Sequence, residues 1–154
     1  MNENAEIVVC DIDGTISLVS PTRADILNDK DPDWDRFYED AFEDQPVDKV
    51  CRLVRHLSQH YHVVFCTSRR DSVREKTERW LRSHLAVDRF PKGWNLLMRR
   101  GLDPRPDTVV KPELLDAFLK DNDDDAQQVL CVLEDSAAMV KRWNELGYTS
   151  VQVA

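Results

Sequence analysis

No stretch of this 154-residue chain carries the roughly 20 consecutive apolar residues that a membrane-spanning helix needs, so no such span is expected. Residues 1–6 are polar and acidic, unlike an export signal. The four cysteines, Cys10, Cys51, Cys66 and Cys131, include no C-x-x-C pair, which removes the usual zinc and dithiol redox signatures. Cys10, Cys66 and Cys131 lie in apolar runs and read as small buried core residues. Free thiols without an export signal imply the cytoplasm. Positive charge is also short: 21 Lys and Arg face 29 Asp and Glu, a net charge of -8. The overall field therefore repels polyanions, and a polyanionic partner would need a local basic patch. Internal repeats and low-complexity linkers are missing too. What remains is 42% hydrophobic and 32% charged, the make-up of a globular protein with one domain over residues 1–154.

Hydrophobic periodicity sets the order of elements. Ile7 to Cys10 is an apolar run with the composition of a buried strand, stopped by Asp11, Asp13 and Gly14. The spacing of Val47, Val50, Cys51, Val54, Leu57 and Tyr61 predicts a helix, and Val63 to Cys66 a second strand ending in Thr67 and Ser68. Asp71 suits the N-cap of a helix with Val73, Thr77, Trp80, Leu81 and Leu85 on one face. Asn95 to Met98 reads as a third strand. Pro112 suits the first turn of a helix running to about Lys120, with Lys111 at its start. Val129 to Leu133 is a fourth strand ending in Glu134 and Asp135. A helix over Ser136 to Leu146, closed by Gly147, leads to a fifth strand at Ser150 to Val153. Strands alternating with helices predict an α/β fold, a three-layer Rossmann-like parallel sheet with helices on both faces.

In such a sheet the polar strand ends share one edge. Asp11 and Asp13, Thr67, Ser68 and Arg69, and Glu134 and Asp135 would meet there, with Lys111. Crowded carboxylates with oxygen-only donors point to magnesium rather than zinc, with Asp11, Asp13, Glu134 and Asp135 as candidate ligands. The lysine, arginine and hydroxyls would face an anion, for which phosphate is the natural choice. Asp11 can then attack phosphorus. Asp13, two residues on, can protonate the leaving oxygen and later activate water. Thr67 and Lys111 would stabilise charge on the transferring group. Each feature has a plainer alternative. Thr67 and Ser68 could cap a helix, Lys111 could be a solvated lysine, and Glu134 with Asp135 could be an acidic cap.

The order D-I-D-G-T, strand-end hydroxyl, Lys111, acidic pair resembles the haloacid dehalogenase superfamily of phosphohydrolases, across nearly the whole chain. More narrowly it resembles the 3′-phosphatase domain of bacteriophage-type polynucleotide kinase/phosphatase. The supporting pieces are Arg23, V-V-F-C-T-S-R, R-P-D-T-V-V-K, and L-E-D-S…W-N-E-L-G-Y…V-Q-V-A. The resemblance implies Asp11 as nucleophile, Asp13 as general acid/base, Thr67 and Lys111 as phosphate contacts and Asp135 as metal ligand. It also places Arg23 and Arg69 in the phosphatase site. Two residues depart from the pattern: Ser68 stands where glycine is usual, and Glu134 where the first aspartate of the pair is usual. No G-x-x-x-x-G-K-[ST] occurs, so a kinase half is not expected.

The insert over residues 18–45 would be a short cap. Trp34, Phe37, Tyr38 and Phe42 recur at roughly helical spacing, either as a packed lid helix or as a platform for base stacking. Arg99, Arg100 and Arg105, in a loop before Lys111, would supply the local basic patch, with Arg99 and Arg105 touching substrate, unless they are merely solvated. The expectation is a magnesium-dependent phosphomonoesterase working through an aspartyl-phosphate on 3′-phosphorylated nucleic-acid ends. A phosphatase for free nucleotides or another small phosphate ester is the alternative. A phospho-accepting signalling receiver is the rival from another class, but it carries its aspartate on a middle strand, where this chain has Thr67.

Overall fold

A computed structural model describes residues 6–153. Residues 1–5 and 154 lie outside it, and with them most of the polar N-terminus and the last residue of V-Q-V-A. Five parallel strands form one sheet: β1 (Ile7–Cys10), β2 (His62–Arg70), β3 (Trp94–Arg99), β4 (Val129–Glu134) and β5 (Ser150–Gln152), in the order β3-β2-β1-β4-β5. Between them run α1 (Pro21–Ile26), α2 (Trp34–Glu39), α3 (Asp48–Leu57), α4 (Arg74–His84), α5 (Asp107–Asp121) and α6 (Ala137–Glu145).

Strand alternation divides the core into two layers. Val8 and Cys10 of β1 pack with Val50 and Val54 of α3 and Trp80 and Leu81 of α4. Ile7 and Val9 face the other way, onto Leu115 and Leu119 of α5 and Met139 and Trp143 of α6. Each layer centres on a fully buried tryptophan, Trp80 or Trp143. Truncating a ring of that kind typically costs about 3–5 kcal/mol. The expected three-layer α/β architecture is the one observed. Among the described residues no helix is long and apolar enough to cross a membrane.

Three local expectations need correction. β2 does not end at Thr67 and Ser68 but runs on to Arg70, and its register against β3 shifts between Thr67 and Arg70. Such a bulge re-aims the side chains it carries. Asp71 opens a short 3-10 turn instead of capping α4, because its carboxylate accepts the Gly101 N–H at 3.1 Å. α5 begins at Asp107, so Pro112 lies inside the helix and Lys111 in its second turn. Proline has no N–H to give the carbonyl four residues back. That carbonyl, on Thr108, accepts from Arg142 Nε at 3.3 Å, so the helix continues through the proline.

The chain builds β1, β2 and β3 on one side, then returns to place β4 on the other flank of β1. The crevice where strand order reverses is where open α/β sheets hold their ligands. Here it lies between the ends of β1 and β4.

Candidate active site

Asp11 leaves the end of β1 with its N–H held by the Leu133 carbonyl of β4 at 3.0 Å. Its carboxylate is buried at the base of the crevice and accepts from Lys111 Nζ at 2.7 Å and from the Thr15 hydroxyl at 2.9 Å. Lys111 also donates to Glu134 Oε2 at 3.0 Å. Burial opposes the charge of Lys111, but Asp11 and Glu134 outweigh it and hold the ammonium well above its usual range. One lysine thus faces two buried carboxylates, with Asp135 beside them.

Asp11, Glu134 and Asp135 each offer an oxygen within 4.8 Å of the others. Burial and the Asp11 charge push Glu134 up to about 8. Burial, with the Asp11 hydrogen bond and charge behind it, pushes Asp135 up to about 6. Like charges so close favour either a proton or a cation. A hard divalent ion suits this all-oxygen donor set. The Asp13 carboxylate is not in the cluster, contrary to the expectation that it is a ligand. Arg69 grips it from two nitrogens, at 3.0 and 2.8 Å, and Arg23 Nη1 reaches it at 3.1 Å. Burial works against the Asp13 charge, yet these guanidinium groups prevail and hold its carboxyl below the usual range.

Neither arginine lines the open crevice. Arg23 is fully buried, paired with Asp44, donating to the Phe37 carbonyl and lying 4.2 Å over the Phe37 ring. Arg69 also reaches Thr77 at 3.3 Å. The bulge of β2 brings Thr67 and Ser68 to the crevice. Thr67 Oγ1 accepts the Arg69 N–H at 3.1 Å, whereas the buried Ser68 Oγ has no protein partner.

The basic patch expected from Arg99, Arg100 and Arg105 does not form. Arg99 ends β3 rather than lying in a loop, and it is buried. Its guanidinium donates to the carbonyls of Ser68, Asp103 and Arg105 and to Asp107, at 2.6–3.1 Å. Arg105 reaches the crevice, but it is paired with Asp103 and Glu113. Arg100 is exposed and does not line it. Carboxylates and carbonyls of the loop, of β2 and of α5 partner these guanidinium groups.

The crevice opens into a cleft of about 500 Å³. Asp11, Asp13, Thr67, Lys111, Glu134 and Asp135 line it, while Leu27, Trp34, Leu102, Pro104 and Pro106 supply apolar surface. The sequence reading missed Thr15, though it completes D-I-D-G-T; its hydroxyl lies 2.9 Å from Asp11 and 3.1 Å from Asp135. It also missed Asp44, the buried partner of Arg23, for which nothing local signals a role. Trp34, Phe37 and Tyr38 lie on α2, whereas Phe42 falls on a separate 3-10 turn, so the insert is two short helices and a turn.

The sequence model described as the polynucleotide kinase PNKP phosphatase domain matches residues 5–154. Two similar solved chains belong to structures of the Pnkp1/Rnl/Hen1 complex, one described as an RNA repair complex. They are 27% and 29% identical, with TM-scores of 0.71 and 0.66, over 97% and 96% of this chain. The chain spans only 42% and 45% of their lengths. A haloacid dehalogenase-like hydrolase from Streptococcus pneumoniae shares the fold at 13% identity and TM-score 0.66, over 98% of this chain and 85% of that one. No curated protein matches.

Proposed function

Because this chain belongs to the family of polynucleotide kinase PNKP phosphatase domains, and so is a haloacid dehalogenase-type phosphatase, we propose that it removes 3′-phosphates from nucleic-acid ends through an aspartyl-phosphate on Asp11, with magnesium. The observation that carries this reading is the convergence of Asp11, Lys111, Glu134, Asp135, Thr67 and the unpartnered Ser68 hydroxyl at one cleft. The similar chains of the RNA repair complex support a nucleic-acid end as substrate.

Asp11, Glu134 and Asp135 fit a magnesium ion and would hold it. When bound, the ion offsets the negative charge of the carboxylates and of the phosphate oxygens. Lys111 donates to the Asp11 carboxylate and anchors it. Ser68 Oγ has a free donor for a phosphate oxygen, and Thr67 lies beside it. An Asp11 carboxylate oxygen attacks phosphorus. The bond from phosphorus to the 3′ oxygen breaks, and that oxygen leaves with the electron pair and takes the proton of Asp13. Water then attacks the phosphorus of the aspartyl-phosphate and gives a proton back to Asp13. The bond to Asp11 breaks, inorganic phosphate departs, Asp11 is again a carboxylate and Asp13 again carries the proton it donated.

The arginines favour the ionised Asp13, the form from which it accepts a proton of water in the second step. For the first step, the dianionic phosphate beside it raises its proton affinity by like-charge repulsion. Hydrolysis of 3′-phosphorylated oligonucleotides, 5′-phosphorylated oligonucleotides and mononucleotides, with magnesium or with EDTA, tests the reading. Release from the 3′ oligonucleotides, lost in EDTA, is expected. Turnover confined to mononucleotides would favour the small-ester alternative, and a stable phosphoryl label on Asp11 without release would favour the receiver.

A further inference from the structure

Among the described residues Asp44 is the buried carboxylate that the chemistry above leaves unused. It closes the 3-10 turn at the end of the cap insert and does not line the cleft. A single atom nonetheless joins it to Asp13. Arg23 Nη1 donates to Asp44 Oδ2 on one side and to Asp13 Oδ1, at 3.1 Å, on the other. Asp44 is itself held twice: the Ser17 hydroxyl donates to Oδ2 at 3.3 Å, and Trp80 Nε1 donates to its carbonyl at 2.9 Å. As a stabiliser the ion pair is poorly made, because Arg23 Nη2 and Asp44 Oδ1 are buried without hydrogen-bond partners among the described residues. A buried pair of this kind adds little over apolar side chains of similar volume. What apolar side chains could not supply is a fixed direction for Nη1. That direction matters because the two oxygens of Asp13 are engaged unequally. Oδ1 accepts from Arg23 Nη1 and from Arg69 Nη2, at 3.1 and 2.8 Å, whereas Oδ2 accepts from Arg69 Nε alone, at 3.0 Å. Two charged donors use both acceptor sites of Oδ1, so a proton on this carboxyl belongs on Oδ2.

We propose that Asp44 is a positioning residue for proton transfer by Asp13: it keeps Arg23 Nη1 on Asp13 Oδ1, so that Oδ2 is the oxygen that carries the proton to the leaving group. This rests on the phosphatase reading above, with Asp13 as acid and base. As the bond from phosphorus to the leaving oxygen breaks, that oxygen keeps the electron pair and takes the Oδ2 proton. Without the Asp44 charge Nη1 loses its anchor. The proton is then shared between two oxygens, one of them committed to the guanidinium groups, and transfer to the leaving oxygen is slower.

The test measures first-turnover release of the leaving group, with magnesium, by the wild type and by Asp44→Asn at matched folding. The first turnover isolates the step of interest, since the later hydrolysis of the aspartyl-phosphate is the same for every ester. The esters are a 3′-phosphorylated oligonucleotide, phenyl phosphate and p-nitrophenyl phosphate. Nitrophenolate is a weak base and leaves without a proton, whereas phenolate, and the 3′ oxygen still more, depend on the acid. Asp44→Asn should slow the oligonucleotide by roughly ten- to a hundredfold, the order that misplacing a reacting group costs. Phenyl phosphate should lose less, and p-nitrophenyl phosphate least. Ser17→Ala removes only the hydroxyl that holds Asp44, so it should show the same order of losses in smaller steps even if Asp44→Asn does not fold. A purely structural role would lower all three esters alike. An equal loss on every ester, or no loss, in folded Asp44→Asn would overturn the role of Asp44 and leave the phosphatase reading standing. The same result in Ser17→Ala would do so where Asp44→Asn does not fold. A wild type that hydrolyses both aryl esters but not the oligonucleotide would overturn the nucleic-acid reading alone, and the aryl pair would still read Asp44. No hydrolysis of any ester by the wild type would overturn both.

Discussion

At Gly14 the backbone takes φ +86°, and a Cβ there would lie 2.1 Å from Asp135 Oδ2. Gly14→Ala therefore meets two penalties: left-handed strain of roughly 1–2 kcal/mol and displacement of a carboxylate from the acidic cluster. The expected result is a modest fall in melting temperature with a much larger loss of magnesium-dependent activity, read by thermal melts and a magnesium titration. Asp135 itself carries a second prediction. Its folded value is raised to about 6 from an ordinary 3.8, so the metal-free fold binds a proton there more readily than the unfolded chain. Its stabilising contribution is complete below the unfolded value and is lost as pH rises through the folded one. Magnesium relieves that loss, so the melting-temperature rise it produces should be larger at about pH 7.5 than at about pH 5, where protons compete for the ligands.

Among the elements, α1 is short and owes its place to one side chain. Arg23 joins α1 to the Phe37 carbonyl at α2, to Asp44 beyond it and to Asp13 in the β1 loop. Trp80 Nε1 fixes the Asp44 backbone in turn, at 2.9 Å. Arg23→Met leaves Asp44 buried without its cation, and breaking such a pair costs about 3–5 kcal/mol. Urea unfolding should show a loss of that order, with Asp13 also less firmly held. The sequence announced Arg23 only through its resemblance to a family; its partners lie 10 to 21 residues away, beyond any local pattern. Apolar periodicity made the main-sheet strands and the helix faces legible, because burial repeats with the backbone. The exceptions turn on tertiary partners. Pro112 read as a helix start because the contact that serves the carbonyl it leaves free, Arg142 with Thr108, joins residues 34 apart. Arg99 read as a free loop cation because the carbonyls and carboxylate that consume it are gathered only by the fold.

The molecule carries a net charge of -8, and among the described residues the arginines that line the cleft, Arg70, Arg99 and Arg105, are each paired with a carboxylate. Asp11, Asp13, Thr67 and Glu134-Asp135 were legible as neighbours because the strand ends of a parallel sheet share an edge, whereas Lys111 reaches them from the second turn of α5. The apolar lining was not, because Leu27 and Leu102 are ordinary residues until the fold brings both to one cleft. Nucleic-acid-binding proteins that rely on basic surfaces lose affinity steeply as salt rises. Here salt screens repulsion, so KM for a 3′-phosphorylated oligonucleotide should stay level or fall as ionic strength rises over about 0.05–0.2 M, a range that leaves surface charges largely screened at its upper end. A steep rise in KM would mean that a basic surface contributes after all.

The proposed chemistry rests on attack by the Asp11 carboxylate on a 3′-phosphate at a nucleic-acid end. Asp11→Asn tests it, since the change is nearly isosteric, leaves Lys111 its Glu134 partner and relieves repulsion in the acidic cluster. Phosphate release from a single-stranded 3′-phosphorylated oligonucleotide with magnesium, measured for the wild type and this variant at matched folding, is the direct measurement. Release by the wild type, background only for Asp11→Asn, and a melting temperature unchanged or higher are the predicted results. Sustained release by Asp11→Asn, or a wild type that hydrolyses p-nitrophenyl phosphate yet leaves the oligonucleotide untouched, would overturn that chemistry.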